Sequence, residues 1–135
     1  MKKFLYTLLT GTVVYFVLAF YLYNIKFKKV ILENLGSAIN AVKDPVETGY
    51  VLASNISICL MLALFFTYHL NPKTLLNGLK NGALIGFFVS CFMDLSYYGT
   101  TNLMNLHATI IDIFILTLIT AVSGAAMGFV LSKLK

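Results

Sequence analysis

Apolar positions along the chain gather into four long runs separated by short polar or turn-forming stretches. Residues 4–25, 49–70, 79–99 and 108–131 each hold about the 20 largely apolar residues that a helix needs to cross a hydrocarbon core of about 30 Å. Connection 26–48 is the longest, and its apolar residues Phe27, Val30, Ile31, Leu35, Ile39 and Val42 recur at helical spacing. With Lys26, Lys28 and Lys29 on other faces, that segment reads as a short interfacial amphipathic helix. Asp44-Pro45-Val46-Glu47 then gives a helix-start signal, with Asp at N-cap, Pro at N1 and Glu at N3. Asn71-Pro72 reads as a turn and a second helix start, making spans two and three a tight hairpin. Gly99 reads as the residue just past the end of span three. The pattern therefore predicts one all-α domain, a four-helix transmembrane bundle with a short interfacial helix between spans one and two.

Composition agrees with this class. Of 135 residues, 59% are hydrophobic and 11% charged, against about 25% charged in a soluble domain, and the mean hydropathy is +0.87. The first run follows Lys2 and Lys3 as a signal peptide would. It is longer than the usual apolar region, and no small-x-small cleavage site follows it, so it reads as the first span. Tyr21 and Tyr23 fall where an interfacial aromatic belt would lie. The net charge of +5 comes from ten basic residues, all lysine. Lys2, Lys3, Lys73, Lys80, Lys133 and Lys135 fall on one side of a four-span chain, and Lys26, Lys28, Lys29 and Lys43 on the other. The positive-inside tendency then puts both termini in the cytoplasm. Nucleic acid is not an expected partner, since there is no arginine and no basic groove with interleaved aromatics. Cys59 and Cys91 lie mid-span without metal-ligand spacing and read as packing residues. No metal or cofactor is expected.

Two spans carry rows of small residues four apart. Gly78, Gly82, Gly86, Ser90 and Asp94 form one; Ala108, Asp112, Leu116, Thr120, Gly124 and Gly128 form the other. Such rows let helix backbones approach closely, so spans three and four are expected to pack through them, either within one chain or between two chains.

The same rows carry the two acids of the second half. A carboxylate in hydrocarbon costs roughly 2.5–3.5 kcal/mol on insertion scales, which makes Asp94 and Asp112 candidate functional residues. At 1.5 Å rise per residue, Asp94 lies roughly 8 Å from the end of its span and Asp112 roughly 6–8 Å from the start of its own. Asn55, with Ser54 and Ser57, reaches about 9 Å in from the same side. Polar groups thus converge at one depth, beneath a loop bearing Asn102, Asn105 and His107. Tyr15 or Tyr21 could add a hydroxyl from span one. Asp94, Asp112, Asn55, Tyr97, Asn102 and His107 are the candidate ligand-binding set. Two adjacent carboxyls rarely ionise together and tend to share a proton; such a pair suits a cation or amine, proton movement, or acid–base work. The alternative is that each acid is a packing anchor, accepting from Asn55, a serine or Tyr97. His69 lies a membrane thickness from His107, so the two cannot share a metal.

The stretch "GALIGFFVSCFMDLSYYGTTNLMNLHATIIDIFILTLITAVSGAAMGFVLSK" resembles a domain-of-unknown-function family of small four-span bacterial inner-membrane proteins with the order "GAxxGFF…DL(T/S)…N…L…D". The matching positions are Gly82, Ala83, Gly86, Phe87, Phe88, Asp94, Leu95, Asn102, Leu106 and Asp112, over about residues 80–131, with a fainter match at "LENLG". The acidic residue and Trp that the family tends to carry in its first span are absent from "FVLAFYLYNI", as is a Trp usual in its last span. The resemblance implies a four-span fold and the acid pair, and brings no established activity.

Three function classes follow from these readings. A binding or transport module would hold a small cationic or polar molecule, or a lipid headgroup, in a two-aspartate pocket near the extracytoplasmic side. A non-catalytic interaction or assembly subunit would dock a larger membrane partner, or a second copy as a homodimer, through the glycine rows. An intramembrane aspartate-dyad enzyme is the third class. It is similar in arrangement to lipoprotein signal peptidase, but the Asn-rich and Gly-Asn blocks of that family are missing, and no residue is assigned a catalytic role.

Overall fold

The computed structural model describes residues 1–38, 43 and 47–134. The fold is all-helical, with four helices long and apolar enough to cross a membrane: Lys2–Lys26, Thr48–Leu70, Leu75–Thr100 and Leu106–Lys133. These are α1, α3, α4 and α5, and a six-residue α2, Lys28–Glu33, follows the first. The four expected runs sit inside these helices to within a few residues. The ends of the helices depart from expectation more than their bodies do.

Both α1 and α3 finish in a wider π turn, closed by Phe27 N–H to Leu22 C=O and by Asn71 N–H to Phe66 C=O, each 2.8 Å. Asn71 ends α3 in the left-handed region, at φ 39°, where its short polar side chain is tolerated. It therefore caps the end of α3 rather than the start of α4. That start is capped by Thr74, whose side chain accepts from the Asn77 N–H at 3.1 Å, so α4 begins three residues beyond the Asn71-Pro72 signal. At its far end α4 runs on through Gly99 to Thr100; Gly99 is an interior residue and not a terminator. The N-cap of α5 is Asn105, which accepts from Ala108 N–H at 2.9 Å. The helix α3 begins at Thr48 with Glu47 preceding it, so Glu47 is not at N3. Asp44 and Pro45 of the expected start signal lie outside the described residues, as do Ile39 and Val42 of the amphipathic segment. Within α2, Ile31 packs against the core, as does Phe27 just before it, while Lys29 and Glu33 pair at 3.8 Å in the open.

The hub is α5. Half of its apolar window is buried inside the structure, against 22%, 28% and 22% for α1, α3 and α4. The helix α4 lies along one side of α5, α1 along another, and α3 rests on α1 through the single stripe Asn55, Cys59, Leu62, Ala63 and Phe66. Although only Asn71–Thr74 join them, α3 and α4 are not packed along their lengths. The expected tight hairpin is splayed, because each helix has its small or buried face turned to a different partner.

Small residues set the closest contact. The buried residues of α4 are the predicted row, Gly78, Gly82, Gly86, Ser90 and Asp94. It meets the α5 row within one chain: a methyl group at Gly124 would lie 2.9 Å from the Gly82 Cα, and one at Gly128 2.9 Å from the Gly78 Cα. Gly86 faces the Thr120 side chain, and Ser90 donates to its own-helix Gly86 carbonyl at 2.7 Å. On α1, Gly11 accommodates the end of Met127 from α5. At the end away from the termini, two connections join: Gly36 N–H bonds Leu103 C=O at 2.9 Å, Ala38 N–H bonds Asn102 C=O at 3.1 Å, and Asn105 N–H bonds Asn34 C=O at 3.1 Å. This end is the loop end below.

Glycines inside and outside the row should behave oppositely. Gly82→Val forces the two backbones apart and is expected to cost about 1–3 kcal/mol. Gly99 has nothing within 4 Å of an added methyl group, so Gly99→Ala should gain up to about 1 kcal/mol of helix propensity. Unfolding titrations of both variants in mixed micelles check this; equal effects would refute the packing account.

Candidate functional site

The row that packs α4 on α5 also aligns the acids. Each step of four along α4 meets a step of four back along α5, pairing Gly78 with Gly128, Gly82 with Gly124 and Gly86 with Thr120. The same register brings Asp94 to Asp112, with the carboxyls within hydrogen-bonding reach of each other. Asp94 is only 4% exposed, and its Oδ2 has no hydrogen-bond donor. Two carboxylates have no proton to offer each other. At 4 Å two full like charges repel by about 4 kcal/mol at an effective dielectric of about 20. The charge on the pair is therefore eased by a shared proton or by a cation, and Asp94 Oδ2 is buried without a donor.

A third group completes the cluster. Tyr23 of α1 donates its hydroxyl to Asp112 Oδ1, and Tyr15, two turns earlier on the same face, is within electrostatic reach of Asp112. The chain Tyr23–Asp112–Asp94 thus ties α1, α5 and α4 together at one level. Tyr23 had the signature of an interfacial belt residue, yet it points into the bundle. The four-residue spacing that reveals the other rows holds in span one too: Thr7, Gly11, Tyr15 and Ala19 are buried in succession, and the next step is Tyr23. Tyr21, off this row, is 48% exposed.

A cavity of about 940 Å³ adjoins the cluster, where α3 and α4 fail to close over α1 and α5. This lies at the upper end of the usual size for ligand sites. Its walls include Tyr15, Ala19, Tyr23, Ser54, Asn55, Ile58, Met61, Val89, Ser90, Met93 and Leu116, and among the described residues none that lines it is charged. The acids stand behind its wall, and Tyr23 is the group that both lines the cavity and touches Asp112. Asn55 is 7% exposed, and its Nδ2 is buried without an acceptor. Ser54 and Ser57 donate to the carbonyls of Val51 and Ala53, which leaves their oxygens free to accept.

The predicted set is thus divided. Asp94 and Asp112 come together, and Asn55 lines the adjoining cavity without bonding the acids. Tyr97, 46% exposed, faces outward, and it is Tyr23 rather than Tyr97 that serves the acids. Asn102 and His107 are exposed on the loop-end connection and at the start of α5; the described contacts of Asn102 are through its backbone. Cys59 is fully buried in the core and Cys91 half-buried, both as free thiols. Among the described residues no cluster of three or more metal-ligating side chains occurs.

The hydroxyl–carboxyl contact should show as coupling. Tyr23→Phe and Asp112→Leu are each expected to cost about 0.5–2 kcal/mol. The double variant should cost less than the two together, because either change removes the same bond. A double-mutant cycle of unfolding in micelles measures it, and strict additivity would show that the bond contributes nothing.

Comparison with protein-family models, with curated proteins and with solved structures finds no match to this chain.

Proposed function

We propose that the protein is a multi-pass inner-membrane binding or transport module, which holds a small cationic or polar molecule, or a lipid headgroup, at the Asp94–Asp112 pair. The observation that carries this reading is the buried pair with its orphaned Asp94 oxygen, linked through Tyr23 to a cavity large enough for a small molecule. Burying an unmatched acid is costly, whereas a cation or amine at that position would satisfy both carboxylates. In this reading Tyr23 swings off Asp112 to admit the ligand and returns when it leaves.

The membrane setting is supported by the surface as well as by the helices. Phe88, Phe92 and Phe114 are 62%, 79% and 61% exposed, a distribution that suits a hydrocarbon solvent and not water. The lysine count, six near the termini end and four near the loop end, supports an orientation with the termini in the cytoplasm and the acid pair toward the extracytoplasmic side. The helix α2, with Phe27 and Ile31 turned inward and its lysines outward, lies along that interface. The glycine rows that would have carried a docking role are filled within the chain, which favours the pocket over the assembly subunit.

Two measurements test this reading. The chain should stay with vesicles through an alkaline carbonate wash; release into the wash would refute the membrane placement. A lipophilic cation, tetraphenylphosphonium, should compete with the shared proton. Its affinity is then expected to rise with pH, with about one proton released per cation bound. Asp94→Asn and Asp112→Asn should each remove the pH dependence and weaken binding at least about tenfold, the equivalent of about 1.4 kcal/mol. Equal binding by the wild type and the doubly substituted chain would sink the proposal.

A further inference from the structure

The outward face of α4 carries a single charge. Leu76, Lys80, Leu84, Phe88 and Phe92 follow one another at steps of four and so share one side of the helix. The four apolar members are 55%, 59%, 62% and 79% exposed, and Lys80 is exposed among them. This side lies opposite the row Gly78, Gly82 and Gly86 that packs on α5. Counted back from Thr100, about 20 helical residues fill the roughly 30 Å of a hydrocarbon core, which sets Lys80 at its edge.

The chain has no acid at this end to pair with it. Its five acidic residues are Glu33, Asp44 and Glu47, in the connection between α1 and α3, and Asp94 and Asp112. Asp94, the other charged residue of α4, is about 21 Å away along the helix. Glu33 and Glu47 already have lysine partners, Lys29 at 3.8 Å and Lys43 at 2.7 Å. Near the termini end Lys2, Lys3, Lys73, Lys80 and Lys133 are all exposed, and among the described residues none of them forms an ion pair. The Lys133 ammonium lies 5.6 Å from the centre of the Phe129 ring, which is 50% exposed, so this head also rests on the outer flank of the bundle. Helical side chains lean toward the helix N-terminus. In α4 that direction carries the Lys80 ammonium out of the hydrocarbon, toward the entry of the helix where Lys73 stands, while its stem covers apolar surface.

We infer that this face binds an anionic phospholipid of the leaflet at the termini end. The lipid phosphate pairs with Lys80, with Lys73 as the second cation, and an acyl chain lies along Leu84, Phe88 and Phe92. From Lys80 to Phe92 is about 18 Å of helix, close to the depth of one leaflet, about 15 Å. The combination on one face is what selects a lipid: a soluble phosphate matches the lysines and leaves the apolar stripe unmatched, whereas an anionic lipid matches both. The positive end of the bundle, without an acid of its own, takes its counter-charge from the headgroups around it. The inference rests on the membrane placement proposed above and is independent of the acid pair, which lies at the other end of α4.

The full-length chain, reconstituted in vesicles of equal phosphatidylglycerol and phosphatidylcholine, is extracted into mild detergent and its retained lipid identified by native mass spectrometry. The wild type should prefer phosphatidylglycerol by about fivefold, the effect of about one lysine at a charged surface. Lys80→Gln should bring the two lipids close to parity, Lys73→Gln should lower the preference in part, and Lys80→Arg should keep it. Lys29→Gln removes the same charge at the loop end and should leave the preference as in the wild type. Circular dichroism should show unchanged helix content in all four, since each lysine is exposed. Parity in the wild type, a preference that survives Lys80→Gln, or an equal loss in Lys29→Gln would each overturn the assignment. Displacement of the lipid by millimolar glycerol phosphate would also overturn it, in favour of a site for soluble anions. Asp94→Asn should remove proton-linked tetraphenylphosphonium binding and leave the lipid preference untouched, so the two readings fail separately.

Discussion

Everything in this bundle depends on how closely α4 and α5 approach. Where Gly78 and Gly82 meet Gly128 and Gly124, an added methyl group would stand about 3 Å from the opposite backbone, so there is no room for any side chain. This contact is van der Waals in character and gains from the number of atoms brought to their preferred separation. It also fixes the register of the two helices, because glycines can nest only opposite one another. Any other register would set a side chain against a backbone that now accommodates only hydrogen.

Register is what turns two separate acids into a pair. Asp94 and Asp112 are the continuation of the same rows, so the packing that glycine permits at one end forces carboxyl against carboxyl toward the other. Their repulsion when both are charged is large compared with the energy of any single helix contact. That tension is sustained by the buried glycine contact and relieved by a shared proton and by the Tyr23 hydroxyl on Asp112. The chain Tyr23–Asp112–Asp94 is thereby a polar tie between three helices.

The space beside the pair has a different origin. The helix α3 spends its buried stripe on α1 and has no small-residue row to offer α4, so the short connection at Asn71–Thr74 leaves the two helices apart. The left-handed Asn71 and the π turn before it carry the chain from one to the other without bringing them into contact. The resulting cavity is mostly apolar because its walls are faces that lost a helix partner rather than faces built around charge, and Asn55 is its clearest polar exception.

Much of this was legible along the chain. The four runs fixed the number and length of the helices, since crossing about 30 Å leaves little freedom in length, and the glycine spacing named the glycines at the centre of the α4–α5 contact. The depth of Asp94, Asp112 and Asn55 followed from helical rise alone. Helix ends were less legible: Asn71, Gly99 and Glu47 each had the right chemistry for a cap, and which residue serves depends on where neighbouring helices stop the turn. The sequence by itself determined local period, helix length and depth, because these are properties of one helix at a time. Only the tertiary structure decided that the glycine rows meet within one chain, that Tyr23 and not Tyr97 faces the acids, and that α3 stands away from α4. Those depend on which faces meet, and faces are chosen by the packing of all the helices together.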